Sequence, residues 1–158
     1  MGGTNKGSVD LQGLTASGRA ESFLRALRNT DIAVLYQDQD NRYLWTENLP
    51  DSWHAGKTET LTDRSLFLEH ELPRVGAAKR EALATGEMVK IEVEFRDEEE
   101  FRWFDLWFDA DYDGDGAFAG MVTTALDITD RKRREQTLRT LLREVSHRSK
   151  NLLAIIQS

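Results

Sequence analysis

The chain has 158 residues, 39% of them hydrophobic and 31% charged, with a net charge of -7 and no cysteine. That is enough apolar material for one ordinary core plus an extension, and it excludes disulfides, thiolate metal sites and a thiol nucleophile. No apolar run approaches the ~20 residues that span a bilayer, and the N-terminus lacks signal-peptide character, so a cytoplasmic protein without membrane contact is expected.

Residues 1–16 are rich in Gly, Ser and Thr and read as a flexible leader. Within residues 17–30, Ser17 or Ser22 can cap a short helix with Phe23, Leu24 and Leu27 on one face. The apolar run Ile32-Ala33-Val34-Leu35-Tyr36, the polar turn Asp38-Gln39-Asp40-Asn41 and the run Arg42-Tyr43-Leu44-Trp45-Thr46 together read as a β-hairpin. Residues 48–64, with Pro50 and Gly56, suggest short helical turns. From Pro73 a helix should turn Val75, Ala78, Ala82 and Leu83 inward and stop at Gly86.

Three strands should follow. Val89, Ile91, Val93 and Phe95 alternate with Lys90, Glu92, Glu94 and Arg96. Residues 101–110 carry Phe104, Leu106 and Phe108 on one face and Phe101, Trp103 and Trp107 on the other, so both faces need cover. After a turn over 111–116, residues 118–127 form the last strand. A long helix then begins at Thr129 or Asp130, either of which can cap it.

This order resembles a PAS domain across residues 31–129. The resemblance is carried by Arg42-Tyr43-Leu44-Trp45, Gly86-Glu87, Arg102-Trp103 followed by Asp105, and Asp127-Ile128-Thr129-Asp130-Arg131-Lys132. It implies an α+β fold: a five-stranded antiparallel sheet with short flanking helices, an N-terminal cap helix over 17–30, a sensor domain over 31–128 and a long coiled-coil helix over 129–158. It also implies a sensory module that often pairs two subunits. Asp127, Ile128 and Thr129 form the joint through which a change in the sheet can tilt the exit helix.

A small molecule held by such a domain should lie between sheet and short helices, where Tyr36, Trp45, Trp53, Phe67 and Phe104 are the lining candidates; the bland alternative is that these rings are simply core. Without cysteine, flavin chemistry of the cysteine-adduct type is excluded. Haem would need an axial ligand such as His54 or His70, and neither has supporting residues nearby in sequence. Asp109, Asp111, Asp113 and Gly114 copy the opening of a calcium loop, but Gly120 stands where a bidentate Glu is required, so a solvated turn and no metal are expected.

The end of the chain carries the chemistry. Leu138, Leu142, Val145, Ser149, Leu152 and Ile156 recur in steps of four and three, the seam of a coiled coil or helical bundle, hence a homodimer. His147 falls on the opposite face, in solvent, where an imidazole nitrogen is free to accept a phosphoryl group. Between Arg131 and Lys150, eight basic residues stand against Glu135 and Glu144, although the whole chain is acidic. A basic helix on an acidic body points to an acidic protein or a phosphate as partner, and away from nucleic acid.

His147-Arg148-Ser149-Lys150-Asn151, followed by an apolar run, resembles the phosphoacceptor box of sensor histidine kinases of the HWE and HisKA_2 families. The resemblance implies that His147 is the phosphoacceptor and that Arg148, Lys150 and Asn151 belong to the box. Larger kinase families place an acid directly after the histidine, where this chain has Arg148. Glu144, one turn earlier on the same face, is the candidate for orienting His147 or taking its proton. The implied parent is a two-component protein histidine kinase. Phosphate would come from ATP and Mg²⁺ in a catalytic domain outside these residues and pass to a response-regulator receiver domain, while these residues alone would hold no cofactor and be inactive. The competing reading is a non-catalytic PAS module whose basic coiled coil recruits a protein partner.

Overall fold

The computed structural model describes residues 16–53, 61–96 and 100–157. The expected leader, residues 1–16, falls outside them except for Ala16, as does the segment holding His54 and Gly56.

Helix α1 (Ala16–Leu27) comes first, and only Leu27 of its expected apolar face is buried, while Phe23 stays 65% exposed. Ser22 does not cap it: it lies inside the helix and its hydroxyl donates to the Gly18 carbonyl. What fastens α1 is Asn48, whose side-chain amide reaches the carbonyls of Leu27, Thr30 and Ile32 at 3.0, 2.9 and 2.7 Å. The helix is therefore tied by its last turn.

Strand β1 (Ile32–Asp38) turns Ala33, Leu35 and Gln37 inward, because successive Cβ atoms point to opposite faces. It pairs with β2 (Tyr43–Glu47) as the expected hairpin, with Tyr36 opposite Trp45. A single 3-10 turn, Asp51–Trp53, and helix α2 (Asp63–Leu66) follow, the latter closed by a capping box between Thr62 and Ser65. Helix α3 (Leu72–Thr85) starts one residue before the expected Pro73 and ends where Gly86 takes the left-handed conformation, φ 69°. Val75, Ala78 and Ala82 are buried as expected, but Leu83 is exposed and Lys79 is buried instead.

The remaining strands are β3 (Val89–Arg96), β4 (Phe101–Tyr112) and β5 (Phe118–Asp127). They complete a five-stranded sheet of order β2-β1-β5-β4-β3 in which every neighbouring pair is antiparallel. Strand β4 runs two residues past the expected Ala110, since Asp111 and Tyr112 still pair with Gly120 and Phe118. The turn beyond is the expected one: Asp113 Oδ1 accepts from the N–H groups of Asp115 and Ala117, and Gly116 has φ 80°. Gly120 is required for another reason, since a Cβ there would collide with the Gln37 backbone carbonyl oxygen.

Phe104, Leu106 and Phe108 of β4 fill the inner face together with Trp53, Phe67, Phe95 and Val75. Burying each such side chain contributes about 1.5–3 kcal/mol. On the outer face Asp105 sits between Trp103 and Trp107 and is only 2% exposed. A carboxylate is held there because Lys90 reaches it at 2.9 Å and Arg131 at 3.5 Å. Arg131 belongs to the first turns of α4 (Thr129–Gln157), which thus help cover the outer face.

Candidate functional site

The joint between sheet and exit helix is built from three consecutive residues. The Ile128 N–H donates to the Trp103 carbonyl at 2.8 Å. Thr129 donates its N–H and its hydroxyl to Asp127 Oδ1, at 2.9 and 2.5 Å, and the same hydroxyl accepts the Trp103 N–H at 3.1 Å. The other Asp127 oxygen pairs with Arg102 at 3.0 Å. Asp127 is thus the side chain that meets the first free N–H of α4, where Thr129 or Asp130 was expected; Thr129 turns its hydroxyl to the sheet instead.

Ion pairs extend this clamp along the first turns. Lys132 pairs with Glu92, Arg131 lies 3.9 Å from Glu92 as well as near Asp105, and Arg133 meets Glu100 at 2.8 Å. The hydrogen bond from Arg133 holds the Glu100 carboxyl below its ordinary range and, in return, holds the guanidinium up. Asp127, Ile128 and Thr129, singled out in the sequence as the joint, all take part in this clamp.

Beyond Lys132 the helix runs unbroken to Gln157, with every residue from Arg133 onward exposed. At about 100° per residue, His147 stands roughly 140–180° around the helix from Leu138, Leu142, Val145, Ser149, Leu152 and Ile156. Arg143, Glu144, Lys150 and Asn151 share its side of the helix, within about 60°, and Arg148 flanks them. Leu141 and Leu153, about 120° from His147, widen the opposite stripe beyond the narrow seam, while Ile155 stands about 80° from His147. Glu144 is one turn from His147, and no ion pair joins the two among the described residues.

The five aromatic pocket candidates divide between two faces. Trp53, Phe67 and Phe104 meet inside, with ring centroids 4.7 Å apart for Trp53 and Phe104 and 6.2 Å for Trp53 and Phe67; Phe95 completes the cluster at 5.2 Å from Trp53. Tyr36 and Trp45 lie on the outer face, stacked at 5.5 Å with planes 3° apart, and the Tyr36 hydroxyl donates to Asp111. They cannot line a cavity with the other three, because Tyr36 has the opposite strand parity from the inward Leu35 and Gln37.

A polar cluster inside the domain escapes a sequence reading. Lys79 Nζ, on α3, donates to Gln37 Oε1 at 2.5 Å and to both oxygens of Asp63 at 2.9 and 2.8 Å. The Tyr43 hydroxyl and the Gln37 amide reach the same carboxylate at 2.7 and 3.2 Å. Burial pushes the Lys79 ammonium below its ordinary value, against the pull of Asp63, and burial helped by Asp63 pushes the Tyr43 hydroxyl far up. The cluster joins β1, β2, α2 and α3 under an open cleft of about 440 Å³ edged by Asn41, Arg64 and Arg80. The available signal was spacing: Lys79 sits four residues after Val75 and three before Ala82, on the buried stripe.

No protein-family model matches the sequence, and neither does any curated protein. Solved structures do. A sensory box histidine kinase/response regulator from Burkholderia thailandensis is 22% identical, with a TM-score of 0.59 over 79% of this chain and 98% of that one. The PAS domain of a protein from Colwellia psychrerythraea is 11% identical, with a TM-score of 0.60 over 71% and 98%. An RNA-binding light-oxygen-voltage receptor is 20% identical, with a TM-score of 0.64 over 90% of this chain and 42% of its own. The fold is that of a PAS domain.

Within the PAS domain the remaining histidine candidate has company that the sequence hides. His54 lies outside the described residues, but His70 Nε2 stands 3.8 Å from Glu71 Oε1 and 3.5 Å from Glu94 Oε2. Glu94 comes from β3, so only the fold brings it there. Two of the calcium-like aspartates are otherwise engaged: Asp113 holds the turn and Asp111 accepts from Tyr36. No helix among the described residues is long and apolar enough to cross a membrane.

Proposed function

We propose that the chain is the sensor and dimerisation part of a cytoplasmic two-component histidine kinase of the HWE or HisKA_2 type, with His147 as phosphoacceptor. The observation that carries this reading is the single unbroken helix that leaves the Asp127–Thr129 clamp and presents His147 opposite a broad apolar stripe. Fold kinship with a sensory box histidine kinase supports it. In this reading the stripe packs on a second copy, and the PAS domain biases the tilt of the paired helices. ATP and Mg²⁺, held by a catalytic domain, supply the phosphoryl group. An imidazole nitrogen of His147 attacks the γ-phosphorus, the bond to the β,γ-bridging oxygen breaks, ADP leaves, and the ring proton passes to Glu144 or water. A receiver aspartate then takes the phosphoryl group.

The test mixes the chain with the catalytic domain of an HWE-type kinase and labelled ATP. Label on the wild type that disappears in His147→Ala upholds phosphotransfer, and equal label in both proteins defeats it. The RNA-binding receptor among the neighbours favours a second reading, a non-catalytic PAS interaction module. That reading predicts no label on either protein and retained partner binding by His147→Ala. A nucleic-acid partner would add affinity that falls steeply with salt.

A further inference from the structure

We propose that His70, Glu71 and Glu94 form a binding site for a divalent transition metal of the zinc class. One ligand atom from each residue lies within 4.8 Å of the others. Around a four-coordinate zinc, ligand atoms at about 2.0–2.2 Å from the metal are separated by roughly 3.4 Å. The His70 nitrogen is already 3.8 and 3.5 Å from the two carboxylate oxygens. Closing the triangle needs only small movements of His70 and Glu94, whose side chains are 62% and 44% exposed.

The third ligand is the anchored one. Glu71 is 3% exposed, and both its oxygens are oriented from behind: Oε1 accepts the Glu94 backbone N–H at 2.9 Å and Oε2 meets Arg74 at 2.6 Å. Supporting partners of this kind fix a ligating carboxylate in direction and leave a lone pair on Oε1 for a metal. One imidazole with two carboxylates selects zinc-like ions over calcium or magnesium, which take oxygen ligands. Water would complete the coordination on the open side.

The site is also placed to be felt. Glu94 is the cross-strand partner of Trp103, and Trp103 is the residue that holds Ile128 and Thr129 at the base of α4. A metal would clip the start of α3 to β3 one rung from the exit joint. This inference holds whether or not His147 carries phosphate, since its test measures metal alone.

The full chain is titrated with Zn²⁺ against a fluorescent chelator, beside His70→Ala and Glu94→Gln, each checked for an unchanged unfolding transition. One zinc per wild-type chain is expected, with affinity falling at least about tenfold in both variants, since losing a ligand costs no less than losing a supporting partner. Absence of zinc binding by the wild type, or unchanged affinity in either variant, overturns the site.

Discussion

The PAS domain and its exit helix dispose of apolar side chains in opposite ways. In the sheet, Phe104, Leu106 and Phe108 are sealed against α3 and the Trp53 turn. On α4, Leu142 stands 60% and Ile156 77% exposed. The domain is stabilised by its own long-range contacts, whereas the helix past Lys132 has little beyond its backbone ladder. Isolated helices in water are marginal, and the free stretch of α4 leaves its apolar stripe uncovered among the described residues. The difference locates two kinds of information in one chain, a fold that closes on itself and a surface that remains open.

The sharpest way to break this contrast is to charge the stripe. Leu142→Asp combined with Ile156→Asp should abolish self-association in sedimentation and lower helix content, while the unfolding transition of the domain stays in place. A wild type that sediments as a monomer at every concentration removes the contrast altogether. On the closed side, Phe104→Ala should cost about 3–5 kcal/mol of domain stability in a denaturant titration, because it empties the centre of the aromatic cluster.

Lys79→Met should cost about 2 kcal/mol, less than the loss of one partner from a fully buried pair, since Asp63 keeps two other donors and some contact with water. Adding Asp63→Leu should recover part of that loss. Thr129→Ala, at the boundary between the two regions, should cost about 1 kcal/mol and speed hydrogen exchange at the first turn of α4 and at the Trp103 amide. The smallest effect at neutral pH is that of Tyr43→Phe, and with alkali it shrinks and then reverses. Below pH ~10 both folded and unfolded tyrosine keep the proton; above it only the unfolded chain releases it, so wild-type stability falls as pH rises. The lowered Lys79 pushes the other way over the window below its ordinary value, and the difference between wild type and Tyr43→Phe isolates the phenol.

The strands and the exit helix were legible because their patterns are local. Val89 to Arg96 alternates without a fault, and the four-and-three spacing from Leu138 onward needs no tertiary information. The aromatic pocket was not legible as one site, since grouping rings by chemistry ignores the parity that sends Tyr36 outward and Leu35 inward. Gln37 was missed for a related reason. It is a polar residue on an inward position, and besides the nearby Asn41 carbonyl its amide is met by Asp63 and Lys79, brought by helices 26 and 42 residues away. The Glu71–Glu94 meeting is equally non-local. What His147 faces on its own helix could be read from spacing.

The clamp at Thr129 has a mechanical corollary. His147 is eighteen residues along a straight helix, about 27 Å from the fulcrum. A swing of about 10° at the Trp103 anchor would then carry the imidazole by roughly 5 Å, the rise of one helical turn. Shifts too small to disturb the sheet are magnified at the far end of the arm, so a rearrangement around β3 and β4 need not be large to move a surface histidine by about a helical turn.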